Sequence, residues 1–490
     1  MLRFLTVVLC LAFGVSTAMA QTSLQPAGWD ESLKLPEAPD LNPDPRIVEI
    51  NLESVLADVE IAPGRTVTAW TYNGGLPGPL IRVNVGDRLI VHFTNNLDVP
   101  TTVHWHGLQV PIQMDGVPGS SQPDVPPGGT FTYDFTVPDA GLYWYHPHVM
   151  SAAQVGFGLY GPLIVDDPSE NVGVEDELIL VLSDIAIMPN GQLEDPNSGG
   201  SSGMAFGREG TDVLINGRTT RSITIRPGAP QRWRIVNAAK SRYFLLDLDG
   251  QNFRQIGGDA GLIASHVDSK NVLIATGERV DLVVTPKMKA GETLDLVSLL
   301  HNRGYGSVEF RSIEVLLSMV GSNQPEYANA TLPEIRRDIQ PINAEGATRV
   351  DIELTIAQAP NGMFSYGING VPFATDQPLR ARLGETQIWT VTNSTKWSHP
   401  FHLHGFFFQV LDDEGQPVQP LQWKDTVDVP FEKTVSLIVK FDDDRPGTWM
   451  YHCHILDHAD GGLMGTVIVG EPSDEPVHHH EAPSSPTSTR

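Results

Sequence analysis

GDRLIVHFTN (86–95), GAPQRWRIVN (228–237) and GETQIWTVTN (384–393) repeat one pattern: a glycine, an apolar strand-forming run, and an asparagine nine residues after the glycine. An Asn-Gly pair precedes each copy, at Asn73-Gly74, Asn216-Gly217 and Asn369-Gly370. Asn-Gly favours a tight hairpin turn because both residues tolerate positive φ. Recurrence in this register marks three copies of one supersecondary unit. The runs RLIVHFT, SITIRP and QIWTVTN, bounded by Gly, Pro and Asn, read as strands of Greek-key sandwiches, and helical periodicity is scarce.

A chain of 490 residues suits about three domains at roughly 150 residues each. Breaks near 168 (GPLIVDDPSE) and near 345 predict β-domains at 45–168, 169–345 and 346–470, with a Pro-rich connector around 323–348. The Gly- and Ser-rich loop 188–212 is predicted to be long and mobile. Residues 471–490 read as a disordered tail, with His478–His480 a stray-metal tract rather than a site.

Residues 1–20 place Arg3 before the apolar run Phe4–Phe13 and Ala18-Met19-Ala20 before Gln21, the pattern of a cleaved signal peptide. The protein is therefore expected to be secreted or periplasmic. No second apolar run is long enough to cross a bilayer, so no membrane anchor is expected. Cys10 follows Leu9 rather than a small residue and reads as apolar filler in the leader. Processing leaves Cys453 alone, which excludes an intrachain disulfide. A formal charge of −27 argues against nucleic acid as a partner.

Aligning the copies shows where the chemistry lies. Nine residues past the repeat asparagine stand His104-Trp105-His106-Gly107 in the first copy and His402-Leu403-His404-Gly405 in the third. The second copy has Leu246-Asp247-Leu248 there. Five residues past a glycine come His146-Pro147-His148 and His452-Cys453-His454, against Leu296 and Ser298 in the middle copy. The middle domain thus reads as a spacer without ligands. The third copy alone adds His399, Cys453 and His458, where the first has Thr101, Pro147 and Ala152.

Two imidazoles and a thiolate form the trigonal ligand set of a blue-copper electron-transfer site. Alternate side chains of a strand point to opposite faces, so Cys453 can serve one metal while His452 and His454 serve another. The remaining eight histidines would build an all-imidazole copper cluster if domains one and three face each other. His92, His266 and His301 fall in no motif and are read as structural.

The motifs HWHG, HPH, HPFHLHG and HCHILDH, in this order over about residues 45–470, resemble those of three-domain bacterial multicopper oxidases: laccases, copper efflux oxidases and spore-coat laccases. The resemblance implies cupredoxin-like domains and four coppers per chain. A type 1 copper would take His399, Cys453 and His458, a type 2 copper His104 and His402, and a type 3 pair His106, His146, His148, His404, His452 and His454. It also implies coupling of one-electron substrate oxidation to reduction of dioxygen to water. Asp115, in QMDGVPG, resembles an acid that passes protons near the trinuclear cluster, although Asp-Gly is also a turn signal. Asp425, in WKDTVDV, resembles an acid that hydrogen-bonds a type 1 histidine. Ala459 stands where relatives have a Glu of the proton path. Leu463 stands at the axial position of the type 1 copper where many relatives have Met, with Met464 one residue late and so directed to the other face.

The absence of methionine from 411–449, where copper efflux oxidases carry a Met-rich insertion, favours phenols or aromatic amines as reducing substrates. A metallo-oxidase acting on Cu(I), Mn(II) or Fe(II) is the rival enzyme reading, and a non-catalytic copper-binding periplasmic protein the rival from another class. The protein is expected to be a monomer.

Overall fold

The computed structural model describes residues 23–470, apart from 196–197, 220, 305–311, 329–331, 359–363, 374–376 and 443. The leader, the tail and His478–His480 therefore lie outside the described residues. The architecture is all-β, three successive sandwiches of two sheets each, matching the cupredoxin-like expectation.

Each repeat strand occupies the same slot. Arg88–Asn95, Gln231–Asn237 and Thr386–Asn393 run parallel to the first strand of their unit (Ile47–Ala62, Glu177–Ile185 and Thr348–Gln358). On its other edge each runs antiparallel to a later strand (Thr130–Thr136, Arg279–Val284 and Thr434–Lys440). In the first unit Leu89, Val91 and Phe93 alternate into a core completed by Trp105, Tyr145 and Leu163 of the facing sheet. The third core likewise joins Trp389, Val391 and Leu437 to Phe401, Trp449 and Tyr451.

The middle copy departs from this alternation, because every residue of Gln231–Asn237 is buried. Trp233 and Ile235 face its own core, while Val236 packs against Leu142, Trp144 and Ile164 of the first unit. Both faces are thus covered, and the arginines this buries are ion-paired, Arg232 with Asp281 and Arg234 with Asp166 and Glu177.

The repeat residues have definite work. Asn73, Asn216 and Asn369 adopt φ of 53°, 48° and 53°, each followed by a glycine at φ 74°, so both turn positions are left-handed. Their side-chain oxygens accept from Glu53, Val181 and Glu353 N–H, tying the turn to the first strand. The strand-end asparagine clamps the loop that follows its strand. Asn95 Nδ2 donates to Val99 O and Val125 O, Asn237 Nδ2 to Arg242 O and Ile274 O, and Asn393 Nδ2 to Trp397 O and Val429 O. Val429 is the strand partner of His399, so the third clamp sits beside a predicted ligand.

Two features add to the sequence reading. Within the loop 188–212, Gly200–Phe206 forms a helix docked on the third unit, where the Tyr366 hydroxyl donates to Ala205 O at 2.7 Å. Residues ahead of 45 are also part of the fold: Trp29 and Leu33 join the middle core, and Asn216 Nδ2 donates to Leu33 O. Three short helices recur below: α1 (Ser151–Gly156), α2 (Gly200–Phe206) and α3 (Leu456–Asp460).

Candidate metal centre

The predicted ligands gather into two adjoining clusters. For the first, strands His399–Leu403 and Gly447–Cys453 pair antiparallel, and α3 returns the chain after Cys453 so that His458 faces it. His399 Nδ1 lies 3.3 Å from Cys453 Sγ, Sγ 3.6 Å from His458 Nδ1, and the two Nδ1 atoms 3.0 Å apart. All three side chains are fully buried.

The hydrogen bonds behind these rings decide which atom faces inward. Thr395 Oγ1 donates to Asn393 Oδ1, so it accepts from His399 Nε2–H at 2.7 Å and leaves the Nδ1 lone pair free. The repeat asparagine therefore orients a predicted ligand as well as a loop. Burial depresses the pKa of His399 to about 3 and pushes the Cys453 thiol far up, so in isolation the set is neutral. A bound cation is what converts such a thiol to thiolate.

The second cluster joins the first unit to the third. His104, His106 and His146 lie on paired strands, with His104 opposite His146; in the third unit His402 lies opposite His452 in the same relation. The units meet ring on ring, His104 on His404 at 4.0 Å and His106 on His402 at 3.9 Å. Candidate ligand atoms gather as His104, His106 and His146; as His104, His402 and His404; and as His148, His404 and His452, each set within 4.8 Å.

Most rings anchor one nitrogen in the protein. His104, His146, His402 and His452 donate Nδ1–H to the carbonyls of Asp115, Pro147, Asp425 and Cys453 at 2.7 to 3.0 Å. Their neighbours His404 and His106 donate to the carboxylates of Asp115 (2.9 Å) and Asp425 (3.2 Å). The inward atoms His104 Nε2, His106 Nδ1, His146 Nε2 and His402 Nε2 are buried and have no protein partner, and neither has either nitrogen of His454. Burial lowers the pKa of His106, His146, His402, His404, His452 and His454, keeping the rings neutral. Converging lone pairs with no donor to satisfy them carry a desolvation cost, which a soft cation with imidazole affinity removes. The residues present therefore fit copper.

The acidic residues sort differently from expectation. Asp115 sits between His104 and His404; burial opposes its ionisation, but those imidazoles outweigh it and hold the carboxyl well below its usual range. Asp425 does not reach the Cys453 cluster. Its carboxylate lies 3.2 Å from His106 Nε2 and 3.4 Å from His402 Nδ1, so its expected bond to a type 1 histidine is replaced by contacts in the imidazole cluster. The reason is register: Thr426 pairs with His402, whereas His399 pairs with Val429, three residues farther along the strand. Thr395, which takes the role expected of Asp425, carries no sequence signal beyond its place two residues after the repeat asparagine.

Leu463 is fully buried in the same apolar cluster as Cys453, and its carbonyl accepts the Cys453 N–H. Met464 pairs with His452 and so shares the face of that histidine. Among the described residues, no group of candidate ligands includes the middle unit. His92 bonds Glu49 and Thr132 at the surface, and His301 stacks on Tyr243.

Three cupredoxin-like sandwiches with a thiolate–imidazole set beside an imidazole cluster define a class of copper-binding oxidoreductases. Comparison with known proteins agrees. Three family models, each described as multicopper oxidase, match residues 56–170, 176–293 and 342–473. The multicopper oxidase MmcO of Mycobacterium tuberculosis is 36% identical over 446 residues, spanning 82% of this chain and 83% of that protein. A laccase of Bacillus subtilis is 26% identical over 82% of this chain and 90% of its own length. Among solved structures, a Campylobacter jejuni multicopper oxidase described as a metallo-oxidase superposes with a TM-score of 0.79 at 29% identity, covering 89% of this chain and 94% of that one. The chain belongs to the multicopper oxidase family, and is a copper-dependent, laccase-like oxidase that uses dioxygen and a reducing substrate.

Proposed function

We propose that His399, Cys453 and His458 hold a type 1 copper, His104 and His402 a type 2 copper, and His106, His146, His148, His404, His452 and His454 a type 3 pair, four coppers per chain. Copper there supplies one-electron oxidation of the donor at the thiolate site and four-electron, four-proton reduction of dioxygen to two waters at the trinuclear site. The observation that carries this reading is the strand end itself: Cys453 is fully buried in one cluster, and the flanking His452 and His454 lie among the imidazoles of the other. A covalent path through the backbone between adjacent residues then joins the two sites.

The protein's own groups do the rest. Carbonyls and carboxylates fix the tautomers of six of the eight imidazoles, and the ionised Asp115 sets a negative charge against the cluster. Leu463, buried in the apolar cluster with Cys453, would face a copper held there without offering it a donor atom. We place the unit boundaries near 168 and 345, and read the protein as an exported monomer.

Phenols and aromatic amines are the leading donors. A second reading, oxidation of small metal ions, is favoured by α2, whose Ala205 backbone faces the His458 ring and whose Phe206 packs edge-on to Trp397. Oxygen uptake with a phenol, then with Cu(I), Fe(II) and Mn(II), separates the two. Metal analysis giving one copper and no visible thiolate band would overturn the oxidase assignment.

A further inference from the structure

The middle unit gives no ligand, yet its turn Ala275–Arg279 forms a wall of the imidazole cluster. Thr276 Oγ1 donates to His454 O at 2.9 Å. Gly277, at φ +87°, lies so near that a Cβ there would stand 2.9 Å from His454 Cγ and 3.0 Å from His106 Cε1. Only glycine accommodates both that backbone conformation and that approach.

Arg279 follows and is fully buried. Its guanidinium reaches all three units. Nε donates to Leu142 O of the first, Nη1 and Nη2 to Gly277 O and Asp259 O of the middle, and the same two nitrogens make a two-pronged pair with Asp425 of the third. Asp425 in turn accepts from His106 Nε2–H and from Thr426 Oγ1, and lies 3.4 Å from His402 Nδ1. With Nε2 of His106 and Nδ1 of His402 engaged, the opposite nitrogens of both rings face the cluster, and these are the atoms without partners.

We infer that Arg279 is a positioning residue for the trinuclear copper site, fixing the plane of the Asp425 carboxylate so that it sets the ring orientation and tautomer of His106 and His402. The inference rests on the reading of these histidines as copper ligands. Arginine is required because the planar fork matches both carboxylate oxygens, whereas lysine offers a point charge.

A buried ion pair between units could instead serve only to hold them together, and the test separates the two roles. Arg279→Lys keeps the charge and loses the fork. Lys424→Met breaks a neighbouring buried ion-pair network, to Asp259 and Glu278, without removing a partner of Asp425, and so controls for loosened packing. Each copper-loaded protein is dialysed against a chelator, then read for copper per chain, for the visible thiolate band and for the type 2 electron paramagnetic resonance signal. Arg279→Lys is expected to keep the thiolate band while copper falls from four toward three per chain and the type 2 hyperfine splitting shifts. Lys424→Met is expected to keep all three readouts while melting at a lower temperature. Wild-type copper retention and an unchanged type 2 signal in Arg279→Lys would overturn the positioning role, as would equal copper loss in both variants. A wild type that itself lacks a type 2 signal would instead overturn the ligand reading beneath it.

Discussion

At Cys453 a change of one atom separates the functions of the two clusters. Cys453→Ser removes the thiolate and leaves every imidazole in place, so the variant should lose visible colour and donor oxidation while keeping about three coppers per chain. A blue variant on absorption and metal analysis would refute the assignment. Ten residues on, Leu463 sits in the apolar cluster around Cys453. Leu463→Met should lower the type 1 reduction potential, because a thioether donates electron density and favours Cu(II). The side chains are close in volume, so stability should change by less than about 1.5 kcal/mol. Redox titration decides it, and an unchanged or raised potential in a folded, blue variant would show that Leu463 is not axial. The sequence already favoured Leu463 over Met464 by the alternation of an extended chain, and the pairing of Met464 with His452 supports that preference. Asp425 was misplaced because a motif gives a residue's neighbours in sequence, while its hydrogen-bond partners depend on which residues the strand pairing sets opposite it.

Secondary elements were legible where period and turn chemistry agreed. HWH and HCH read as strand ends because every second residue points one way, and Asn-Gly turns repeat three times. α2 was not legible: Gly200-Ser201-Ser202-Gly203 is a poor helix former, and the element is held by outside contacts. The Tyr366 hydroxyl donates to Ala205 O, Arg303 Nη2 to Phe206 O at 2.9 Å, and Gly207 abuts Ile455. Tyr366 also stacks on the His458 ring at 4.7 Å, so Tyr366→Phe keeps the stacking and removes one tether of the helix. The lost hydrogen bond costs about 1 kcal/mol. If α2 is the barrier in front of His458, kcat/KM for a bulky phenol should rise several-fold while that for Fe(II) changes little. Equal changes for both donors would show that α2 does not limit access.

The threefold repeat revealed the number of sandwiches and which two carry the candidate ligands, but contacts between units leave no periodic trace in the sequence. Asp460 of α3 accepts from the Ser151 and Ala152 N–H groups that open α1, and the Tyr243 hydroxyl of the middle unit donates to Asp428 of the third at 2.7 Å. Asp428 shows how such a junction carries a pH dependence. Burial pushes its pKa up to about 7 from 3.8; the Tyr243 bond and Arg303 pull the other way, and Glu278 adds to the rise. The folded protein therefore holds a proton on Asp428 that the unfolded chain has released between about pH 4 and pH 7. Where the native state binds more protons, stability falls as pH rises. The stabilisation linked to this group is full below pH 4 and lost as pH passes through about 7. Asp428→Asn cannot titrate, so its melting temperature relative to wild type should climb across that window and level off above it, the ligand titrations being common to both proteins and cancelling in the difference. Paired melting curves from pH 4 to 8 check this, and a difference that stays flat, or moves in favour of wild type as pH rises, would show that Asp428 enters the fold already ionised.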